Sequence, residues 1–395
     1  MNPRLQAFLN AEIESLKERG IDRMPRVLQS AARSRVRIDG REIIQLSSNN
    51  YLGLTTHPKV VSAAARAIEE FGAGPGAVRS IAGTMTLHLE LERRLARFKG
   101  TPAALVFQSG YTANVGVVST LMQEGDLIVS DELNHASIID GCRLCKAERA
   151  IYRHLDYAHL REILKRARDG KTGKILVVAD GVFSMDGDLS DLKAIAGLCA
   201  EYDAIPMVDD AHATGVMGRD GRGTVDHCGV SDRWDIQIGT MSKAFGVMGG
   251  YVCCSRELME FYVHKARPFL FSSAHPPAVI AACIAAVDVL ESEPHWVARL
   301  WENTRFFKEG LRRLGFNTGS STTPITPVII GSGAKAARFS DDLFARGVFA
   351  QGIYFPMVAE EKSRVRTIVM ATHTRDDLTE ALKAFEEVGR RLGVI

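Results

Sequence analysis

The sequence predicts an α/β protein with a mostly parallel central sheet, helices on both of its faces, and a smaller C-terminal α+β domain. Three observations carry that prediction. Short apolar runs without alternation recur between about residues 100 and 254, the pattern of strands buried on both faces. Segments of helical period separate them, as crossovers between parallel strands require. After about residue 290 the rhythm changes to longer amphipathic helices and more widely spaced strands.

Composition narrows the class. A chain of 395 residues can bury a large core and divide into about two domains. Hydrophobic residues at 46% and charged residues at 24% are ordinary for a globular protein. The 49 basic and 47 acidic side chains leave a net charge of +2, so neither nucleic acid nor a membrane surface is an expected partner. The apolar run PPAVIAACIAAV from Pro276 is too short and alanine-rich to cross a bilayer. Glu12, Glu14 and Glu18 in the first helical stretch resemble neither a secretory nor a transit peptide, so a cytoplasmic location is expected. The seven cysteines, an odd number mostly in apolar stretches, fit a reducing compartment better than a disulfide framework. Cys142 and Cys145 form a CxxC, but no second ligand pair follows at zinc spacing. Their spacing on a helix explains the pair better than a metal or redox site.

Residues 3–19 place Leu5, Phe8, Leu9, Ile13 and Leu16 at helical spacing, an amphipathic arm expected to pack on another domain or a partner. Residues 41–46 read as a short strand and SSNNYLGL (47–54) as a polar turn with an aromatic. A helix over 59–71 leads into GAGPGAVRSIAGT at 72–84. These glycines invite a dinucleotide reading, yet that motif needs a strand before it and a helix directly after. Here a helix precedes and the next begins only near Leu87, so a loop whose backbone approaches a small ligand fits better. Strands are then predicted at 103–107, 127–130, 175–179, 206–208, 236–238 and 251–254. Beyond them come a helix over 296–314, strands near 327–330 and 365–370, and helices over 334–346 and 376–392, the last capped by Thr374. The expected division is 1–48 for an arm and strand packing with the small domain, 49–288 for the large domain and 289–395 for the small one.

Ligands of open α/β sheets lie beyond the carboxyl ends of the strands, and the polar residues of this chain collect there. Ser109-Gly110-Tyr111 opens a helix and offers free backbone N–H groups to a phosphate. Ser242, Ser272 and Ser273 could add hydroxyls to the same anion. His135 supplies a flat ring able to stack on an aromatic ligand. Asp209 ends an apolar strand and needs a cationic partner if buried, and His212 can hydrogen-bond a neighbouring oxygen. Lys243 follows a strand among small and hydroxylated residues, where desolvation lowers an amine's pKa and frees it as a nucleophile. Each residue alone has an ordinary structural explanation; the combination does not. A phosphate site, a stacking ring, a buried acid and a desolvated lysine describe pyridoxal 5′-phosphate (PLP), whose ring nitrogen pairs with an Asp and whose aldehyde condenses with a Lys.

SSNNYLGL, GAGPGAVRSIAGT, DELNHASIIDG, DGVFSMDGD, VDDAHATG, GTMSKAFG and SRVRTIVMATHT together resemble the α-oxoamine synthases. These are PLP-dependent transferases of the aspartate aminotransferase-like fold type I, which condense an amino acid with an acyl-CoA. The resemblance covers nearly the whole chain. It implies Lys243 as the Schiff-base lysine, Asp209 as partner of the ring nitrogen, His212 on the phenolic oxygen and His135 stacked on the ring. It implies Gly110, Tyr111 and Thr240 at the phosphate, Ser184 on a cofactor oxygen, and Ser272 contributed from a second subunit. Asn49 and Arg366 match the substrate side, with Arg366 taking the amino-acid carboxylate. A homodimer with shared active sites is implied as well; no metal is expected, because no second ligand pair stands at zinc spacing.

Three reactions compete within the family: glycine with acetyl-CoA, alanine with pimeloyl-CoA, and glycine with succinyl-CoA. HASIIDGCRLCKA and the closing RRLGVI favour the first, the glycine C-acetyltransferase reaction. DDAHATG and HPPAV lean toward the second, 8-amino-7-oxononanoate synthesis. Outside the family, a fold type I aminotransferase is the nearest alternative, and it would need an oxo acid and no CoA.

Overall fold

The computed structural model describes residues 1–18, 24–170 and 172–395. Two short strands come first, β1 (Arg35–Ile38) and β2 (Arg41–Gln45). The central sheet follows: β3 (Ala103–Phe107), β4 (Leu127–Asp131), β5 (Glu148–Tyr152), β6 (Ile175–Asp180), β7 (Ile205–Asp209), β8 (Ile236–Thr240) and β9 (Gly250–Cys254). Their order is β3-β9-β8-β7-β6-β4-β5, with β9 antiparallel to both neighbours and every other pairing parallel. Strands β3, β6, β8 and β9 are buried at every residue, which is why their sequences show no polar alternation. β5 is absent from the sequence-based expectation. It is one of the two edge strands, exposed or half-buried until Tyr152, and its charged residues hide the apolar signal.

The C-terminal part adds β10 (Ile325–Ile329), β11 (Val348–Phe349), β12 (Gln351–Ile353) and β13 (Arg364–Ile368). β10, β13 and β12 form an antiparallel sheet, backed by helices Gly333–Ala345 and Arg375–Arg391. Phe307, Phe316, Phe339 and Phe385 meet edge-on or tilted at the centre of this packing. Thr374 caps the last helix as expected: its hydroxyl accepts the Asp377 N–H at 3.1 Å while the Asp377 carboxylate accepts the Thr374 N–H at 2.8 Å.

β11 pairs parallel with β2, so the N-terminal segment is tied to this C-terminal part through its strands. Arg35 adds ion pairs of 2.6 Å to both Asp377 and Glu380. The helix Pro3–Glu18 itself buries no residue and leaves Leu5, Phe8, Ile13 and Leu16 exposed. Within the chain, the expected packing of the arm is therefore made by β1 and β2 and not by its helix; position 19, its expected last residue, lies outside the described residues.

The glycine-rich segment runs from helix Pro58–Phe71 through a π-helical turn, Arg79–Gly83, to helix Thr86–Lys99. Arg79 is buried there against Glu92 at 3.0 Å. No strand leads into these glycines, so they do not build a dinucleotide loop. All seven cysteines are free. Cys142 lies in helix Ala136–Arg143, and Cys145 falls in the turn beyond it, where its thiol meets the Cys142 carbonyl at 3.3 Å. No helix among the described residues is long and apolar enough to cross a membrane.

Candidate active site

A cavity of about 240 Å³ opens past the carboxyl ends of β4, β6, β7 and β8. Gly110, Tyr111, His135, Ser184, Asp209, His212, Thr240 and Lys243 all line it, so residues up to 133 positions apart meet as the strand-end argument requires.

At one end stands the N-terminus of helix Gly110–Leu121. Ser109 caps it by accepting the Thr112 N–H at 3.1 Å, which leaves the Gly110 and Tyr111 amides without helical acceptors. Gly250 makes room for this turn: a Cβ there would lie 2.2 Å from the Ser109 carbonyl oxygen. The Thr240 hydroxyl donates to the Gly249 carbonyl at 2.8 Å and accepts the Ser242 N–H at 3.2 Å. Its hydrogen is thus engaged, so the Ser242 hydroxyl, 2.8 Å away, donates to Thr240 and would have to leave that bond to turn toward an anion.

Asp209, at the end of β7, is buried. One oxygen accepts the Asn114 amide at 2.6 Å and the other the Ala211 N–H at 2.8 Å. Both donors are neutral, so this carboxylate keeps capacity for a cation. Strand register sets Asp180 of β6 directly beside it. Burial, reinforced by Asp209, holds the Asp180 carboxyl well above its usual range. Asp180 accepts the His135 N–H at 2.9 Å. His212 meets the Tyr51 hydroxyl through Nδ1 at 2.8 Å. Burial, then Lys243, Arg366 and His135, push its pKa well below the ordinary value and keep the ring neutral.

Lys243 lies three residues past β8 and is half-buried. Burial lowers its amine to about 8 against the opposing pull of Asp209 and Asp180. The neutral amine is the nucleophile, so the rate at which apoenzyme condenses with PLP should rise about tenfold per pH unit and level off above about pH 8. Stopped-flow mixing between pH 6 and pH 9.5 checks this; a plateau reached only near the free-lysine value of about 10.4 would contradict it.

Arg366 of β13 donates through Nε to the Ser184 carbonyl at 2.6 Å and through Nη2 to Asn49 Oδ1 at 3.4 Å. Its partners are neutral, and it borders a second cavity of about 350 Å³ together with Gln45, Ser47 and Gln351. A guanidinium held this way suits a carboxylate ligand. Two expected site residues, Asn49 and Ser272, line neither cavity. Asn49 still accepts from Arg366 at 3.4 Å, whereas among the described residues no such bond ties in Ser272. Its neighbour Ser273 bridges to Val78 and accepts the Gln108 amide at 2.7 Å, which holds the segment away from the strand ends.

Residues 41–385 match the family model for aminotransferase class I and II. The 8-amino-7-oxononanoate synthase of Exiguobacterium sibiricum is 56% identical over 387 residues, covering 98% of this chain and 99% of that protein. The enzyme of the same name from Symbiobacterium thermophilum is 55% identical over 391 residues, covering 99% and 100%. A solved serine palmitoyltransferase of Sphingomonas wittichii superposes with a TM-score of 0.93 at 34% identity, covering 98% of each chain. The chain belongs to the α-oxoamine synthases, in the aminotransferase class I and II family.

An α-oxoamine synthase takes PLP as its cofactor, and the residues present fit that group. The buried Asp209 carboxylate with only neutral donors suits the ring N–H, the free Gly110 and Tyr111 amides suit the phosphate, and the desolvated Lys243 amine suits the aldehyde. Sequence reasoning missed four members of the synthase site: Tyr51, Asn114, Ser137 and Asp180. Asp180 had a usable signal, since it ends a predicted strand just as Asp209 does. Asn114 had none, because it sits one turn into a helix and reaches the site only through packing; Ser137, second in its helix, reads along the chain as an ordinary residue of a helix start.

The loop 181–190, which carries Ser184, is anchored from both sides. His154 bridges Asp131 and Asp188 at 2.9 Å each. Burial disfavours its protonated form, but these two carboxylates outweigh that and raise its pKa to about 9. From the other side, Arg364 donates to the Asp186 carboxylate at 2.6 Å and the Met185 carbonyl at 2.9 Å.

Proposed function

We propose that this α-oxoamine synthase condenses L-alanine with pimeloyl-CoA, releasing CoA and carbon dioxide and forming 8-amino-7-oxononanoate. The observation that carries this reading is the pair of relatives bearing that name at 55% and 56% identity along almost the entire chain. It takes the place of the glycine and acetyl-CoA reading favoured above. Of HASIIDGCRLCKA only His135 and Ser137 border the catalytic cavity, and RRLGVI borders neither cavity, so those segments report little about the acyl group.

When bound, PLP supplies the electron sink that lets hydrogen leave the amino acid's Cα as a proton. Arg366 holds the substrate carboxylate, oriented by the Ser184 carbonyl and Asn49. Lys243 Nζ, neutral above about pH 8, accepts the Cα proton. Asp209 offers its carboxylate to the ring nitrogen, and Asn114 and Ala211 keep that carboxylate in place. His212, held neutral and fixed by Tyr51, meets the phenolic oxygen. His135 donates to the thioester oxygen as the amino acid's Cα attacks the acyl carbon and charge collects there; the carbonyl re-forms as CoA departs. Two subunits sharing their sites would bring Ser272 to the phosphate of the neighbouring copy.

A thiol-release assay across acetyl-, succinyl- and pimeloyl-CoA, each with glycine and with alanine, tests the substrate pair. The alanine and pimeloyl-CoA pair should exceed every other in kcat/KM by about tenfold or more, the scale on which apolar pockets distinguish chain length. A higher value for glycine with acetyl-CoA would restore the other reading.

A further inference from the structure

Asn114 is fully buried on helix Gly110–Leu121, behind the cavity and not in its wall. Its amide nitrogen donates to Asp209 Oδ2 at 2.6 Å and to Ser137 Oγ at 3.0 Å, so both amide hydrogens are engaged. The assignment of nitrogen and oxygen follows from chemistry, because the reverse would press an amide oxygen against a carboxylate. Ser137 Oγ in turn lies 2.7 Å from His135 Nδ1. Because Ser137 Oγ already accepts a hydrogen from Asn114, its own hydrogen is free to go to the ring.

A second observation points the same way. The backbone N–H of Ser137 donates to the same His135 Nδ1 at 3.2 Å, making the imidazole the N-cap of helix Ala136–Arg143. Two hydrogens converge on one ring nitrogen, so Nδ1 must present a lone pair. Burial, together with Lys243, disfavours the charged ring against the pull of Asp209, so a neutral imidazole carries its single hydrogen on Nε2. Among the described residues Nε2 has no hydrogen-bond partner, and the ring lines the cavity.

We propose that Asn114 is a positioning residue: it joins the Asp209 carboxylate to the His135 ring through Ser137 Oγ and thereby fixes His135 as the tautomer with its hydrogen on Nε2. This rests on the role proposed for His135 and specifies it. The ring reaches the thioester oxygen as a neutral donor, and the same amide steadies the acid beneath the cofactor. One buried side chain thus sets the electron sink and the acyl-oxygen donor in register.

The test is two-bond ¹H–¹⁵N correlation on holoenzyme labelled with ¹⁵N-histidine, with the His135 signals identified by their loss in His135→Gln. Wild-type enzyme should show His135 protonated at Nε2. Ser137→Ala keeps the backbone N–H on Nδ1 but removes the Oγ donor, so it should admit a detectable minor population protonated at Nδ1 while leaving the PLP dissociation constant within about twofold, since the Asn114 to Asp209 bond persists. Asn114→Leu should mix the tautomers and also weaken PLP by about tenfold or more, the worth of one hydrogen bond to a charged group. Asn114→Asp, which keeps the side-chain shape, should weaken PLP likewise and serves if the leucine variant does not fold. A wild-type ring protonated at Nδ1, or a tautomer unmoved by Ser137→Ala, would overturn the proposal. A merely structural role would lower the unfolding temperature and leave the ¹⁵N pattern unchanged. No acyl-CoA enters these spectra, so a failed pimeloyl-CoA assay leaves their outcome intact.

Discussion

Lys243→Ala should lose turnover by about 10⁴-fold or more, because one side chain serves as both the covalent anchor and the proton acceptor. The amine occupies a half-buried position where its pKa falls to about 8, and no other lysine lines the cavity to replace it. Lys243→Arg should be equally inactive, since a guanidinium stays protonated and neither condenses with an aldehyde nor accepts the Cα proton. Thiol release measures the rate. Borohydride reduction followed by peptide mapping measures the anchor, and wild-type enzyme should carry the label on Lys243 alone. A variant that turns over normally, or a label on another residue, would remove the basis of the site assignment.

Asp209→Ala should lower kcat by about 10²- to 10³-fold, the range found for deleting one preorganised electrostatic partner of a reacting group. The carboxylate is buried and faces two neutral donors, so nothing nearby can take over its charge on the ring nitrogen. Burial holds the pKa of Asp180, its neighbour in register, well above the usual carboxylate range, which makes it a poor substitute as an anion. The substitution also leaves the Asn114 amide with an unmet hydrogen in the interior, which costs about 1–3 kcal/mol. Loss of kcat should therefore be accompanied by easier loss of cofactor on dialysis and a lower unfolding temperature. Unchanged kcat with retained PLP would mean that the ring nitrogen is met by another group.

The contribution of the chain's own sequence is clearest at the strand ends. Asp209, His212 and Lys243 could be found because a parallel sheet buried on both faces needs uninterrupted apolar strands. A charged residue directly after such a run stands out and has a known destination. The same logic placed Gly110 at a helix start, since a strand followed by serine and glycine leaves few other conformations. β5 escaped because it is charged and mostly exposed, unlike β3 at the other edge, and the choice of acyl-CoA escaped because it depends on wall contacts that no local pattern encodes.

Periodicity and turn chemistry by themselves determined the α/β class, the capped terminal helix and the members of the cofactor constellation that sit on strand ends. Only the tertiary structure decided that Arg366 leans on Ser184 and Asn49, that Ser272 stays outside the cavity within one chain, and that Asn114 links Asp209 to His135. The physical reason is range. Backbone hydrogen bonding and burial impose short periods that can be read along the chain. Side-chain partnership between residues such as Asn114 and Asp209, 95 positions apart, depends on how packed layers bring separate elements into contact.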